Sequence, residues 1–122
     1  MDRQALGKSG EQVACDALRR RGYEILERRY RTRYGEIDIV CRYRDLLVFV
    51  EVKARVGRQF GTALEAVTAV KQRRVTAMAG DYLTRRHIAP CHCRFDVVGI
   101  TYDEQGRVIE TTIVPGAFDA RG

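Results

Sequence analysis

Glu36-Ile37-Asp38-Ile39-Val40-Cys41-Arg42-Tyr43 and Leu46-Leu47-Val48-Phe49-Val50-Glu51-Val52-Lys53-Ala54 read as two β-strands joined by a tight turn at Arg44-Asp45. A two- or four-residue loop centred there sets Asp38 opposite Glu51 and Glu36 opposite Lys53; a three-residue loop shifts the pairing by one. Because side chains alternate along a strand, the first register gathers Glu36, Asp38, Glu51 and Lys53 on one face. The second strand is almost continuously apolar from Leu46 to Val50, as expected of a central strand covered on both faces.

Outward from this hairpin, the pattern resolves into alternating elements. Upstream, Ser9 and Gln12 have capping-box form, and Val13, Ala14, Ala17 and Leu18 recur at helical spacing until Gly22, which predicts a helix over about residues 8–21, or from nearer Gln4 if Leu6 belongs to the same stripe. Residues 23–31 are β-prone and laced with charge, as in an edge strand guarded by arginines. Downstream, Gly57 and Gly61 mark a loop over 55–62. Leu64, Val67, Val75, Met78 and Tyr82 then form a helical stripe over about 63–86. Strands at 95–102 and 107–114 follow, joined by the turn-like Asp103-Glu104-Gln105-Gly106. The order is αβββαββ, an α/β class with a mixed central sheet flanked by helices. The strand-helix-strand crossover should be right-handed and place the fourth strand parallel to the third. Residues 1–114 are expected to form a single domain and 115–122 a frayed C-terminal tail.

The 122 residues are 45% hydrophobic, enough for one unaided core. No window approaches the roughly 18 apolar residues of a membrane span, and no apolar leader is present, so a soluble, cytoplasmic protein without membrane contacts is expected. The net charge is +6 and the excess is nearly all arginine, since the lysines are Lys8, Lys53 and Lys71 alone. Arginine suits bidentate phosphate contact and base stacking, so nucleic acid is the first partner suggested, ahead of an acidic protein. An arginine-rich genome would produce the same bias. Cys15, Cys41, Cys91 and Cys93 read as reduced thiols. The one-residue spacer in Cys91-His92-Cys93 does not fit zinc-ligand spacing, and His87 and His92 read as solvated loop residues.

The acidic face of the hairpin carries the chemistry. Directly opposed carboxylates have Cβ atoms only about 4.5–5.5 Å apart and repel one another. A divalent cation resolves that repulsion: carboxylate oxygens, a backbone carbonyl and waters make an octahedral site for Mg²⁺ or Mn²⁺ with positions open to a phosphate oxygen. Lys53 could hold or deprotonate a water there, or neutralise charge as a phosphodiester breaks. Taken alone, the hairpin also reads as an ion-paired surface, with Glu36 on Lys53 and arginines on Asp38 and Glu51. Against this, Glu51 and Lys53 interrupt an otherwise apolar strand, where burying unpaired charge is costly. Glu11 points toward the sheet side of its helix, or is simply a first-turn acid favoured by the helix dipole. Lys71 lies on the inner stripe of the second helix; it snorkels outward unless it faces the acidic cluster.

These residues resemble the PD-(D/E)XK, or restriction-endonuclease-like, superfamily. More narrowly they resemble the bacterial YraN family, whose members are similar to archaeal Holliday-junction resolvases. The likeness runs over about residues 7–102 through Gly10-Glu11, Gly22-Tyr23, Arg29 and Arg31, Gly35 to Val40, Val48 to Lys53, Arg55, Phe60-Gly61, Glu65-Ala66-Val67, Lys71 and Arg94 to Val98. The resemblance implies that Asp38, Glu51 and the Val52 carbonyl bind the metal, that Lys53 is the catalytic lysine and that Glu11 matches the helical glutamate of the resolvases. Ile37 stands where the motif has its nominal proline. The resulting expectation is a Mg²⁺-dependent endonuclease acting on DNA, with Arg31, Arg33, Arg55, Lys71 and Arg74 on phosphates, structure-selective or nonspecific in its cleavage. The alternative is a catalytically silent nucleic-acid-binding or scaffold protein on the same fold. The dimeric relatives suggest a homodimer.

Overall fold

The computed structural model describes residues 3–57 and 68–118, with side chains from residue 10 onward. The element order is α1 (Arg3–Arg20), β1 (Glu24–Thr32), β2 (Gly35–Tyr43), β3 (Leu46–Val56), α2 (Ala69–Arg85), β4 (Cys93–Tyr102) and β5 (Val108–Phe118). The five strands lie in one sheet in sequence order. β3 and β4 pair in parallel and every other neighbouring pair is antiparallel, which is the predicted mixed sheet.

The apolar run of β3 is buried on both faces, as its composition predicts. Val48 and Val50 pack with Ile39, Cys41, Val98 and Ile100 beneath Ala14, Cys15 and Leu18 of α1. Leu47 and Phe49 pack with Tyr30, Val40 and Phe95 beneath Met78, Ala79 and Tyr82 of α2. One helix therefore covers each face, an arrangement compatible with a restriction-endonuclease-like fold. The four cysteines are free thiols, as expected. Among the described residues no helix is long and apolar enough to cross a membrane.

Helix α1 starts at Arg3, close to the earlier of the two expected starts, so Ser9 lies inside it rather than at its cap. Its end matches the prediction. Gly22, at φ +91°, donates to the Arg19 carbonyl at 3.0 Å and Tyr23 to the Leu18 carbonyl at 3.0 Å, the paired bonds of a Schellman stop. Gly10 allows α1 to approach the sheet, because a Cβ there would sit 3.3 Å from the Ala54 Cβ. That approach brings the next residue, Glu11, over the strands.

Two further boundaries depart from expectation. Helix α2 begins at Ala69, because Thr68 caps it by accepting the Lys71 N–H at 3.1 Å. The predicted start at Ala63, with Leu64 and Val67, lies outside the described residues, as do Phe60-Gly61 and Glu65-Ala66-Val67. The predicted tail is also partly wrong, since β5 continues through Pro115 to Phe118. The β4–β5 register jumps from Val97↔Val114 to Phe95↔Phe118, and the Asp96 carboxylate accepts the Gly116 N–H at 3.0 Å within the bulge.

Candidate active site

The hairpin adopts the first of the two registers considered, with Tyr43↔Leu46 through Ile39↔Val50 paired. The ladder stops one step before Asp38 and Glu51. There the Asp38 carboxylate accepts the Val52 N–H at 2.7 Å, so a side chain replaces the next backbone rung and the two strands part. Strict alternation also fails at this point, because Ile37 joins the α2-side core together with Val40. The sequence reading of one continuous face is corrected accordingly: the break in β2 swings Asp38 into the fork between the strands.

A cleft of about 230 Å³ opens there between the sheet and α2, lined in part by Glu36, Asp38, Glu51, Lys71 and Arg74. Lys53, two residues beyond Glu51 on β3, lies outside the lining. Burial pushes the Asp38 carboxyl up to about 6; the Val52 N–H opposes the shift, and Glu51, Glu36 and Glu11 add to it. Glu11, delivered by α1, is held by Arg29 Nε at 2.7 Å. Glu36, Asp38 and Glu51 thus line one cleft, and Glu11 acts on Asp38 from the α1 side of the sheet.

Of the basic residues expected to contact phosphate, Lys71 pairs with Glu51 and Arg74 lines the same cleft. Thr68, as the cap of α2, fixes Lys71 in the first helical turn, from which its amine reaches the Glu51 carboxylate. Arg31 pairs with Glu36 at 3.2 Å on the rim. Arg33 and Arg55 fall outside the cleft. The Arg55 Nε is buried without a hydrogen-bond partner among the described residues.

Arg29 is the residue that composition and spacing did not single out. It adopts φ 53° within a strand, a strained backbone for a non-glycine residue, and it feels Glu11, Glu36 and Asp38 together. Apart from its place in the family resemblance, its signal in the sequence is the Arg28-Arg29 pair, which breaks the alternation of the edge strand.

Among the described residues, no three of His, Cys, Asp and Glu converge into a complete metal cage. The donors that do meet are hard oxygens, two carboxylates beside the Val52 peptide. That set fits Mg²⁺ or Mn²⁺, which keep several waters, better than a metal held only by protein ligands.

The family model of the uncharacterised protein family UPF0102 matches residues 10–100. A UPF0102 protein of Symbiobacterium thermophilum is 46% identical over 94% of this chain and 97% of its own length. One of Syntrophotalea carbinolica is 44% identical over 98% of this chain and 96% of its own. The structure of Pyrococcus furiosus SfsA in complex with Ca²⁺ is similar at 16% identity and a TM-score of 0.43, covering 88% of this chain and 62% of that one. The chain belongs to the uncharacterised protein family UPF0102.

Proposed function

We propose that this protein is a metal-dependent endonuclease of the PD-(D/E)XK kind that acts on DNA. The observation that supports this most is the fork between β2 and β3. There Asp38, anchored by the Val52 N–H, and Glu51 line one cleft at the point where the ladder opens. Asp38, Glu51 and the Val52 carbonyl would hold Mg²⁺ or Mn²⁺, which supplies charge to a scissile phosphate and acidifies a bound water. Lys53, two residues beyond Glu51 and outside the cleft lining, would have to reach in from β3 to hold or deprotonate the attacking water, or to neutralise charge as the bond breaks. Arg74 and Arg31 contact flanking phosphates, which gives affinity without base selection.

The direct test is cleavage of junction, flap and linear DNA with Mg²⁺ or Mn²⁺. Lys53→Ala should lower the rate by at least about 100-fold. No cleavage by the native protein, or equal cleavage by Lys53→Ala, would count against the reading.

One observation favours the silent, nucleic-acid-binding alternative: Lys71 already neutralises Glu51. On the nuclease reading that ammonium competes with the cation for the same carboxylate. Lys71→Met should therefore tighten Mg²⁺ binding about 10-fold in a calorimetric titration, the change expected from losing one close opposite charge. If the native protein and Lys71→Met both bind no metal, the silent reading gains.

A further inference from the structure

We infer that the turn joining β1 to β2 is a base-stacking platform, and that the DNA taken by the cleft carries an unpaired base within about four nucleotides of the bond to be cut. The inference rests on the nuclease reading above.

The turn is locally rigid. The Thr32 hydroxyl donates to the Gly35 carbonyl at 2.9 Å and accepts the Tyr34 N–H at 3.0 Å. The Tyr34 ring is thereby held out in solvent, 39% exposed, whereas Tyr23, Tyr30, Tyr82 and Tyr102 are buried. The Arg33 guanidinium lies over that ring, 4.9 Å from its centroid, and donates to its hydroxyl at 2.6 Å. Arginine stacked on tyrosine presents a flat, cationic surface of the kind on which a nucleobase lies.

Position on the molecule supports the same reading. Beneath the turn, a cavity of about 360 Å³ lies against α2, lined by Arg33, Tyr34, Gly80, Asp81, Thr84 and Arg85. Its single acid, Asp81, is already engaged by the Tyr30 hydroxyl at 2.8 Å and by Arg85 at 3.3 Å, so the free charge facing a ligand is positive. Gly35 and Glu36, the residues after Tyr34, line the acidic cleft itself. Asp38 lies four residue steps beyond Tyr34, at most about 13 Å along an extended chain, which is the length of about four stacked bases.

An apolar partner would need a contiguous apolar patch, but Arg33 lies over the ring and Arg85 lines the cavity beside it. Bases in a continuous duplex are already stacked on one another and offer no face to the platform. Gapped, flapped or single-stranded DNA does.

The experiment uses the native protein in chelator, so that no strand is cut, with 2-aminopurine placed in single-stranded, gapped and fully duplex oligonucleotides. Quenching of the unpaired probe is expected. Tyr34→Ala should weaken binding of unpaired DNA about 10-fold and binding of duplex by less than about twofold, while Tyr34→Phe stays near native. Absence of binding, absence of quenching, or equal losses on both DNAs overturns the inference. Cleavage with metal is scored separately. Cleavage that ignores Tyr34 removes only the platform, whereas Tyr34-dependent quenching without any cleavage removes only the nuclease reading.

Discussion

Asp38→Asn should melt about 4–8 °C above the native protein in metal-free buffer at about pH 7.5, yet cleave DNA about 10³-fold more slowly when Mg²⁺ is present. The two effects have one origin. In the folded protein the Asp38 carboxyl is pushed up to about 6 from an ordinary 3.8, by burial first and then by neighbouring acids, against the pull of the Val52 N–H. Native protein therefore holds a proton that the unfolded chain releases between about pH 4 and pH 6, and stability falls as pH rises through that window. Above it, the folded state carries a destabilising charge worth at most about 3 kcal/mol. Asparagine lacks that charge and its Oδ1 can still accept from Val52, so a net gain of about 1–2 kcal/mol remains after the amide's own desolvation. The advantage should shrink toward about pH 4. A bound cation would relieve the same charge in the native protein, so on the proposed reading Mg²⁺ should raise its melting temperature and leave that of Asp38→Asn unchanged. Differential scanning calorimetry across pH, with and without Mg²⁺, measures all of this. A variant that melts at or below native at about pH 7.5 would show that Asp38 is stabilising rather than strained.

The hairpin was legible because its information is local. A turn at Arg44-Asp45 fixes the register, and strand alternation together with the apolar run of β3 fixes which face is buried. What lay beyond sequence depended on contacts between distant elements. The partner of Lys71 is set by where Thr68 caps α2 and how that helix lies on the sheet, so spacing could place the lysine on the inner stripe but not on Glu51. Arg29 required both α1 and β2 in place before it could be seen facing three acids. The extension of β5 was hidden because Pro115-Gly116 reads as a strand breaker. In the fold these residues form a bulge whose free N–H is taken by Asp96. Asp96 itself shows how far a charge inside an apolar run can be trusted as a functional signal. It interrupts β4 as Glu51 interrupts β3, yet it lies on the α1 side, fully enclosed by partners.

That contrast sets the second large effect, with the opposite sign: Asp96→Ala should lose about 3–5 kcal/mol of stability, a large part of what a domain of this size has. Asp96 is 1% exposed and every bond it accepts is short. Arg94 approaches both oxygens, at 2.8 and 2.9 Å, the Tyr23 hydroxyl donates at 2.8 Å and the Gly116 N–H at 3.0 Å. Tyr23 stacks on Tyr43 with centroids 4.4 Å apart, and the Arg94 guanidinium lies 5.5 Å from the Tyr43 centroid. One carboxylate thus ties the residue after the α1 stop to β2, β4 and the bulge of β5. Alanine leaves the buried Tyr23 hydroxyl without its acceptor and the partly buried Arg94 guanidinium with only that hydroxyl, at 2.9 Å, which costs more than the lost bonds themselves. Tyr23→Phe removes the hydroxyl that donates to Asp96 and accepts from Arg94 at 2.9 Å but leaves the ion pair, so it should cost only about 1–2 kcal/mol. Urea unfolding of the two variants separates the explanations: equal losses would mean that the hydrogen bonds of the Tyr23 hydroxyl carry the network's contribution, and a loss below about 1 kcal/mol for Asp96→Ala would mean that the network contributes little. Two acids that look alike in sequence would then differ in kind. Asp38 has a carboxylate that folding strains and a cation would relieve, and Asp96 has one that the fold already satisfies.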